Sequence, residues 1–305
     1  MATPAISTAF GDLLDVRFQD IMADELQQLP DMIPTLFSNV GSNGRNNMQW
    51  SQVGTFDDWT PFEGSVNYDT IYQGYDVTLT PLEFVSGFQV ERKLYDDTQF
   101  GIMDERPRGL ADAYQRTRQK HAARLLANAF SVDTMFYSHS EGVALCSDAH
   151  TTTSGASTAN GFDNKVTSAL SATAVAAARI QFVNFRGDRA ERRQFEPDEL
   201  WYPPNLYEVA SEIINSSGKV DTALNNPNVH QNAYTGHEWI YLADANDWFM
   251  GNSRLRKRMA LWMDRMPMEF AFVEDYETLV AKWRGYGRWG FVYRDWRFIL
   301  GAQVS

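Results

Sequence analysis

Between Phe84 and Phe130 the hydrophobic period of this chain changes from two to between three and four, and any fold it adopts must accommodate that switch. After the apolar pair Phe84 and Val85, Phe88 and Val90 alternate with Gln89 and Glu91, the period of a half-buried strand running to about Leu94. From about Leu110 the pattern lengthens. Leu110, Ala113, Tyr114, Thr117, His121, Leu125 and Ala129 recur at three- and four-residue steps and predict one stripe of a long helix, with Arg116, Arg118, Lys120 and Arg124 largely off it. A helix of roughly twenty residues is about 30 Å long, longer than most globular helices, so it is a candidate backbone for the fold. Gly101 and the Pro107-Arg-Gly109 run mark its entry, since proline suits a first turn or a kink. A strand feeding a long covering helix indicates an α+β protein.

The length of 305 residues allows two domains, or one with large excursions. At 44% hydrophobic and 13% aromatic, with nine tryptophans, the chain has ample core material and excludes a disordered protein. A net charge of −12 argues against gripping nucleic acid, which depends on lysine and arginine displacing counterions. Only six of the 27 cations are lysines, and arginine's planar fork suits paired, partly buried contacts and interfaces. Cys146 is the sole cysteine, which points to a reducing compartment. No signal peptide is legible, and no segment approaches the roughly twenty apolar residues of a membrane span. Synthesis as a soluble, intracellular protein without a membrane partner is expected.

In chain order, Ile6 to Leu29 reads as an amphipathic helix, through Phe10, Leu13, Leu14, Phe18, Ile21, Met22 and Leu26, whose partner is either this chain's core or a neighbouring subunit. Pro30, Pro34 and Gly41-Ser-Asn-Gly44 separate it from the rest. Met48 to Tyr75 predicts a projecting hairpin with a long tip. Its rings Trp59, Phe62, Tyr68 and Tyr72 are costly to leave in water, so they are expected to lie on another subunit. Glu141 to Asn164 is loop-like, and Ser171 caps a second helix, SATAVAAARIQFVNF. A strand within Phe195 to Tyr202, a helix over Asn205 to Ile214, a polar exposed tip from Lys219 to Gly236, and short strands at Trp239 to Leu242 and Trp248 to Met250 follow. From Phe270 to Leu300 the rings return in alternation, predicting that the C-terminus closes the sheet under the long helix.

Little here suggests chemistry. Cys146, Asp148 and His150 could pair a thiol with a base, but nothing frames them as a catalytic set, and ordinary packing roles are the simpler reading. His121, His139, His150, His230 and His237 lack paired metal-ligand spacing, and Asp57-Asp58 and Asp96-Asp97 read as solvated turns. Neither a phosphate-binding loop nor a dinucleotide fingerprint is present. The expectation is therefore no catalytic residue, no cofactor and no metal. The basic run Arg254 to Arg258 is better suited to intersubunit salt bridges than to nucleic acid.

Four stretches in order, GFQVERKLYDD running into the long helix, EGVALCSDAH with its Thr/Ser/Gly spacer to Asn164, LSATAVAAA, and FEPDELWYPPNLYEVASEII, resemble tailed-bacteriophage major capsid proteins of the Hong Kong ninety-seven fold, and among them the Mu-like major head subunits. The resemblance implies an N-terminal arm (1–34), a link (35–47), an extended loop (48–82), a peripheral domain (83–160) with a spine helix at about 109–130, an axial domain (161–258) and a return to the peripheral domain (259–305). It implies a virion shell protein that assembles in the host bacterium's cytoplasm through hexamers and pentamers into an icosahedral shell. That shell would enclose double-stranded DNA without sequence-specific binding. A portal, a separate scaffolding protein (the chain begins almost at the arm) and a decoration protein are implied partners. Candidate inter-subunit contacts are Trp59, Phe62, Tyr68 and Tyr72 of the loop and Arg116 and Arg124 of the spine helix.

The chain departs from the type phage of this fold, whose shell is welded by bonds between a loop lysine and a distant asparagine with help from a glutamate. Met48 to Leu82 contains no lysine and Ala281 to Tyr293 no glutamate, so a non-covalent shell is expected. An encapsulin-like compartment shares the fold and is the alternative; a thiol enzyme using Cys146 is the distant one.

Overall fold

The alternating rings of the C-terminal third fold into the longest hairpin of the chain, β10 (Ala260–Asp275) against β11 (Val280–Tyr293). The computed structural model describes residues 8–56, 58–66, 68–91, 100–218, 226–242, 244–275, 277 and 280–304, with the side chains of 8–15, 100, 102 and 274 outside that description. Asp57, Asp96-Asp97, residues 92–94 of the expected strand, part of the Lys219 to Gly236 tip, Tyr276 and Leu279 thus lie outside the described residues, as do the side chains of Phe10, Leu13 and Leu14. Burial along β11 alternates from Lys282 to Trp289 and is then continuous to Tyr293, where both faces of the sheet are covered. The switch in period described above becomes β4 (Leu82–Glu91), antiparallel to β11, followed by the spine helix. The short β1 (Ser38–Asn39) completes this sheet by pairing in parallel with β10.

Two helices precede the sheet, α1 (Thr8–Gln28) and the single turn α2 (Ile33–Leu36). The spine helix α3 (Phe100–Ala127) is longer than expected: it starts some nine residues before Gly109, and Pro107 lies inside it. Proline removes the amide that would bond the Met103 carbonyl. Tertiary packing outweighs that loss. Met103 is buried, and the Arg17 guanidinium of α1 pairs with Asp104 at 2.5 Å. Phe18 of α1 is fully buried, edge-on to Trp283 at 5.1 Å and to Phe88 at 5.9 Å, so α1 packs on its own chain's core. The buried face of α3 also includes Gln115 and Gln119, which apolar periodicity does not reveal. Gln115 donates to the Pro30 carbonyl and Gln119 to Asp31, holding the turn between α1 and α2.

Three antiparallel strands make a second, smaller sheet: β2 (Met48–Val53), β3 (Gln73–Leu79) and β5 (Tyr137–His139). Beyond it the chain turns at Gly161, which has φ +76 and no room for a Cβ, because the Asn184 carbonyl would stand 2.3 Å away. The third sheet has the order β6-β12-β9-β7-β8, from β6 (Lys165–Val166), β7 (Glu199–Tyr202), β8 (Thr235–Glu238), β9 (Trp248–Gly251) and β12 (Ile299–Ala302). Around it lie α4 (Ala172–Val183), capped by Ser171 Oγ accepting from the Ala174 amide, then α5 (Tyr207–Asn215) and α6 (Ser253–Met259), capped by Asn252.

Three sequence expectations need correction. The tail does not return whole to the first sheet: 260–293 does, whereas β12 lies between β6 and β9 in the third, because the turn at Trp296–Phe298 carries the chain across. The strand expected at Trp239 to Leu242 falls instead on Thr235–Glu238, while Trp239 and Leu242 are buried in a turn, so the strongest hydrophobic signal sits just past the polar edge strand. Asn228 and His230 in the expected exposed tip are buried, Asn228 donating to the carbonyls of Ile213 and Ser216.

Candidate assembly surface

The loop between β2 and β3 is firm at its foot and bare at its tip. At the foot, Gln52 donates to the Arg294 carbonyl, Thr55 to Glu191 at 2.8 Å, and Tyr75 bonds Thr151 at 2.5 Å. Beyond the foot Trp59 is 100% exposed, Tyr68 88% and Phe62 76%, with Phe56, Val66 and Ile71 also in solvent. Full burial of one such ring is worth roughly 2–3 kcal/mol, so a single subunit leaves several kcal/mol of association energy unused here. The rings line a groove of about 610 Å³ with Asp58 and Asp69. Tyr72 differs from the other three: the Arg189 guanidinium lies 5.0 Å over its ring and pairs with Asp69 at 2.7 Å, a contact within the chain that hydropathy could not indicate.

The two spine-helix arginines are also distinct. Arg116 points outward and, among the described residues, pairs with Asp112 one turn back at 3.0 Å, both half exposed. Arg124 is held in its own subunit by the buried Asp133, with Nε 2.6 Å from Oδ2 and Nη2 3.1 Å from Oδ1. The basic run forms α6, where Arg254, Lys257 and Arg258 face solvent but Arg256 turns inward to Glu199. Burial would push the Glu199 carboxyl up, but the facing His237 and Arg256 outweigh it and hold it at about 2. His237 Nε2 stands 3.7 Å from Glu199, beyond hydrogen-bond range.

The cysteine neighbourhood is packing. Cys146 is 1% exposed, and burial pushes its thiol up, away from the nucleophilic thiolate. Both ring nitrogens of His150 are engaged elsewhere, Nδ1 with Glu141 at 3.0 Å and Nε2 with Asn164 at 3.1 Å, and the ring stacks on Trp296 at 4.2 Å. Asn164, fully buried, donates to the carbonyls of Leu145 and Ile299 and so ties this loop to β12. Among the described residues no three acidic, histidine or cysteine side chains cluster as metal ligands, and no helix is long and apolar enough to cross a membrane.

Residues 74–302 match the model of the phage capsid protein family, about three quarters of the chain. The chain belongs to that family. The capsid of the cyanophage P-SCSP1u superposes with a TM-score of 0.54 at 12% identity, covering 88% of this chain and 86% of that one. The capsid of a native GTA particle gives 0.53 at 12%, covering 91% of each, and the mature capsid of bacteriophage PhiM1 gives 0.53 at 9%, covering 88% and 86%. No curated protein matches the sequence. At such identities the likeness is one of fold, the tailed-phage capsid fold of the Hong Kong ninety-seven type. The phage capsid protein is structural, not an enzyme, and its place is the shell of the virion.

Proposed function

We propose that this capsid protein assembles through hexamers and pentamers into an icosahedral shell around double-stranded DNA, with the loop 48–82 clasping a neighbouring subunit. The observation that carries the reading is the tip itself: three large rings in water on a hairpin whose foot is anchored. We assign 1–34 as arm, 35–47 as link, 83–160 with 260–293 as peripheral domain, and 161–258 with β12 as axial domain, following the strand pairing. Net charge of −12 suits a container, since a wall that bound DNA tightly would impede its packing. The four sequence stretches support a place near the Mu-like head subunits. Assembly in the host cytoplasm, with a scaffold, a portal and a decoration protein as partners, accompanies that placement. An encapsulin-like compartment has no support in the phage capsid matches.

The test replaces residues 56–71 by a glycine-serine linker. Subunits with an unchanged circular-dichroism spectrum that no longer form capsomers support the clasp; capsomers at the normal yield would refute it.

A further inference from the structure

Charge is sorted along this chain, and only part of it is paired within one subunit, as Asp69 is with Arg189. From Asn46 to Glu91 there is no lysine or arginine, and the loop carries Asp57, Asp58, Glu63, Asp69 and Asp76. Cations gather at the loop's foot. A groove of about 730 Å³ opens there between Gln52–Thr55, the 193–196 segment, α6 and Arg294. Arg254 and Arg258 line it, with Lys257 on the same helix, and all three are exposed without a carboxylate partner among the described residues. Of its three acids, Asp295 pairs with Arg297 at 2.9 Å, Asp188 accepts from Thr152 at 2.6 Å, and Glu196 is exposed beside Arg193, Arg254, Arg258, Arg294 and Arg297, which outnumber them.

The loop also shows how it takes a guanidinium. Arg189 lies over Tyr72, pairs with Asp69 and donates to the Thr70 carbonyl at 2.5 Å. The tip repeats that combination of ring and carboxylate in Trp59, Phe62 and Tyr68 beside Asp58, with no cation of its own chain upon it among the described residues.

We propose that the acidic, aromatic loop tip of one copy docks in the arginine-lined groove beside α6 of a second copy, Arg254 and Arg258 taking the places over the tip that Arg189 takes over Tyr72. This deepens the clasp reading and rests on it. Because tip and groove are different patches of one chain, the contact is head-to-tail, and repeated around an axis it closes a ring. Opposed potentials steer the subunits together and fix the register, while the rings supply the buried area.

A charge-swap cycle on the full chain tests this. Arg254→Glu with Arg258→Glu, and separately Asp58→Arg with Glu63→Arg, should each lower the assembled fraction about tenfold or more, and the four changes together should restore much of it. A photo-crosslinking phenylalanine at Phe62 should label residues 252–258 or 192–196 of another subunit, a readout that holds even if a charge variant folds poorly. If the loop variant fails to assemble while the α6 variant assembles normally, or the label falls on the spine helix, the groove is wrong and the clasp stands. If both variants assemble normally, the groove is wrong, and the linker replacement of residues 56–71 decides the clasp separately.

Discussion

Arg256 grips Glu199 with two prongs, Nε and Nη2 each 2.7 Å from a carboxylate oxygen, while Nη1 donates to the Leu36 carbonyl at 2.7 Å. Glu199 belongs to the third sheet and Leu36 to the turn that leads into β1 of the first, so one side chain ties the two bodies of the subunit. Both side chains are 5% exposed, and removing one leaves the other charged and buried. Arg256→Ala is expected to cost about 3–5 kcal/mol, and pairing it with Glu199→Gln to recover part of that loss. Chemical denaturation of the assembly-blocked subunit measures both.

Trp59→Ala should separate folding from assembly. The ring is fully exposed in the subunit, so subunit stability should stay within about 0.5 kcal/mol of wild type, while capsomer yield falls. A stability loss of several kcal/mol would show that the ring is packed in the free subunit.

Phe18→Ala should do the reverse. Its ring is wholly buried against Phe88 and Trp283, and truncation is expected to cost about 3–5 kcal/mol in the isolated subunit. An unchanged melting temperature would mean that α1 leaves its own core and packs on a neighbour.

His121 gives an acid-side signature. Burial, then the charge of Arg124, lower its pKa from 6.5 to about 4, and Trp289 donates to its Nδ1 at 3.2 Å. The unfolded chain therefore takes up this proton at higher pH than the folded one, so stability is full above about pH 6.5 and declines as pH falls toward 4. His121→Gln should flatten that part of the stability curve, read as melting temperature against pH.

Much of this architecture was legible in the sequence because its signals are local. The period-two rings of β11, the Ser171 cap and the polar, ring-bearing tip each report one element's own surroundings. What was hidden depends on partners far along the chain. Pro107 reads as a boundary until Arg17 is seen on Asp104, and Gln115 and Gln119 read as surface until the Pro30-Asp31 turn is seen above them. Arg256 looked like one more member of a basic run, yet its helical position alone turns it inward to a glutamate 57 residues earlier. The third sheet's strands are two to four residues long, too short to display a period, which hides the places of β8 and β12 from the sequence.

The absence of a lysine in the loop predicts a shell without covalent links. Boiled in detergent, particles should run as 34.7 kDa monomers; a ladder of multimers would contradict this.

Negative-stain electron microscopy with light scattering, on the full chain expressed alone and together with its genomic neighbours, tests the central claim most directly. Closed shells, or rings of five and six, are predicted in at least one preparation. A monodisperse monomer in both would contradict the reading of this protein as a self-assembling shell subunit.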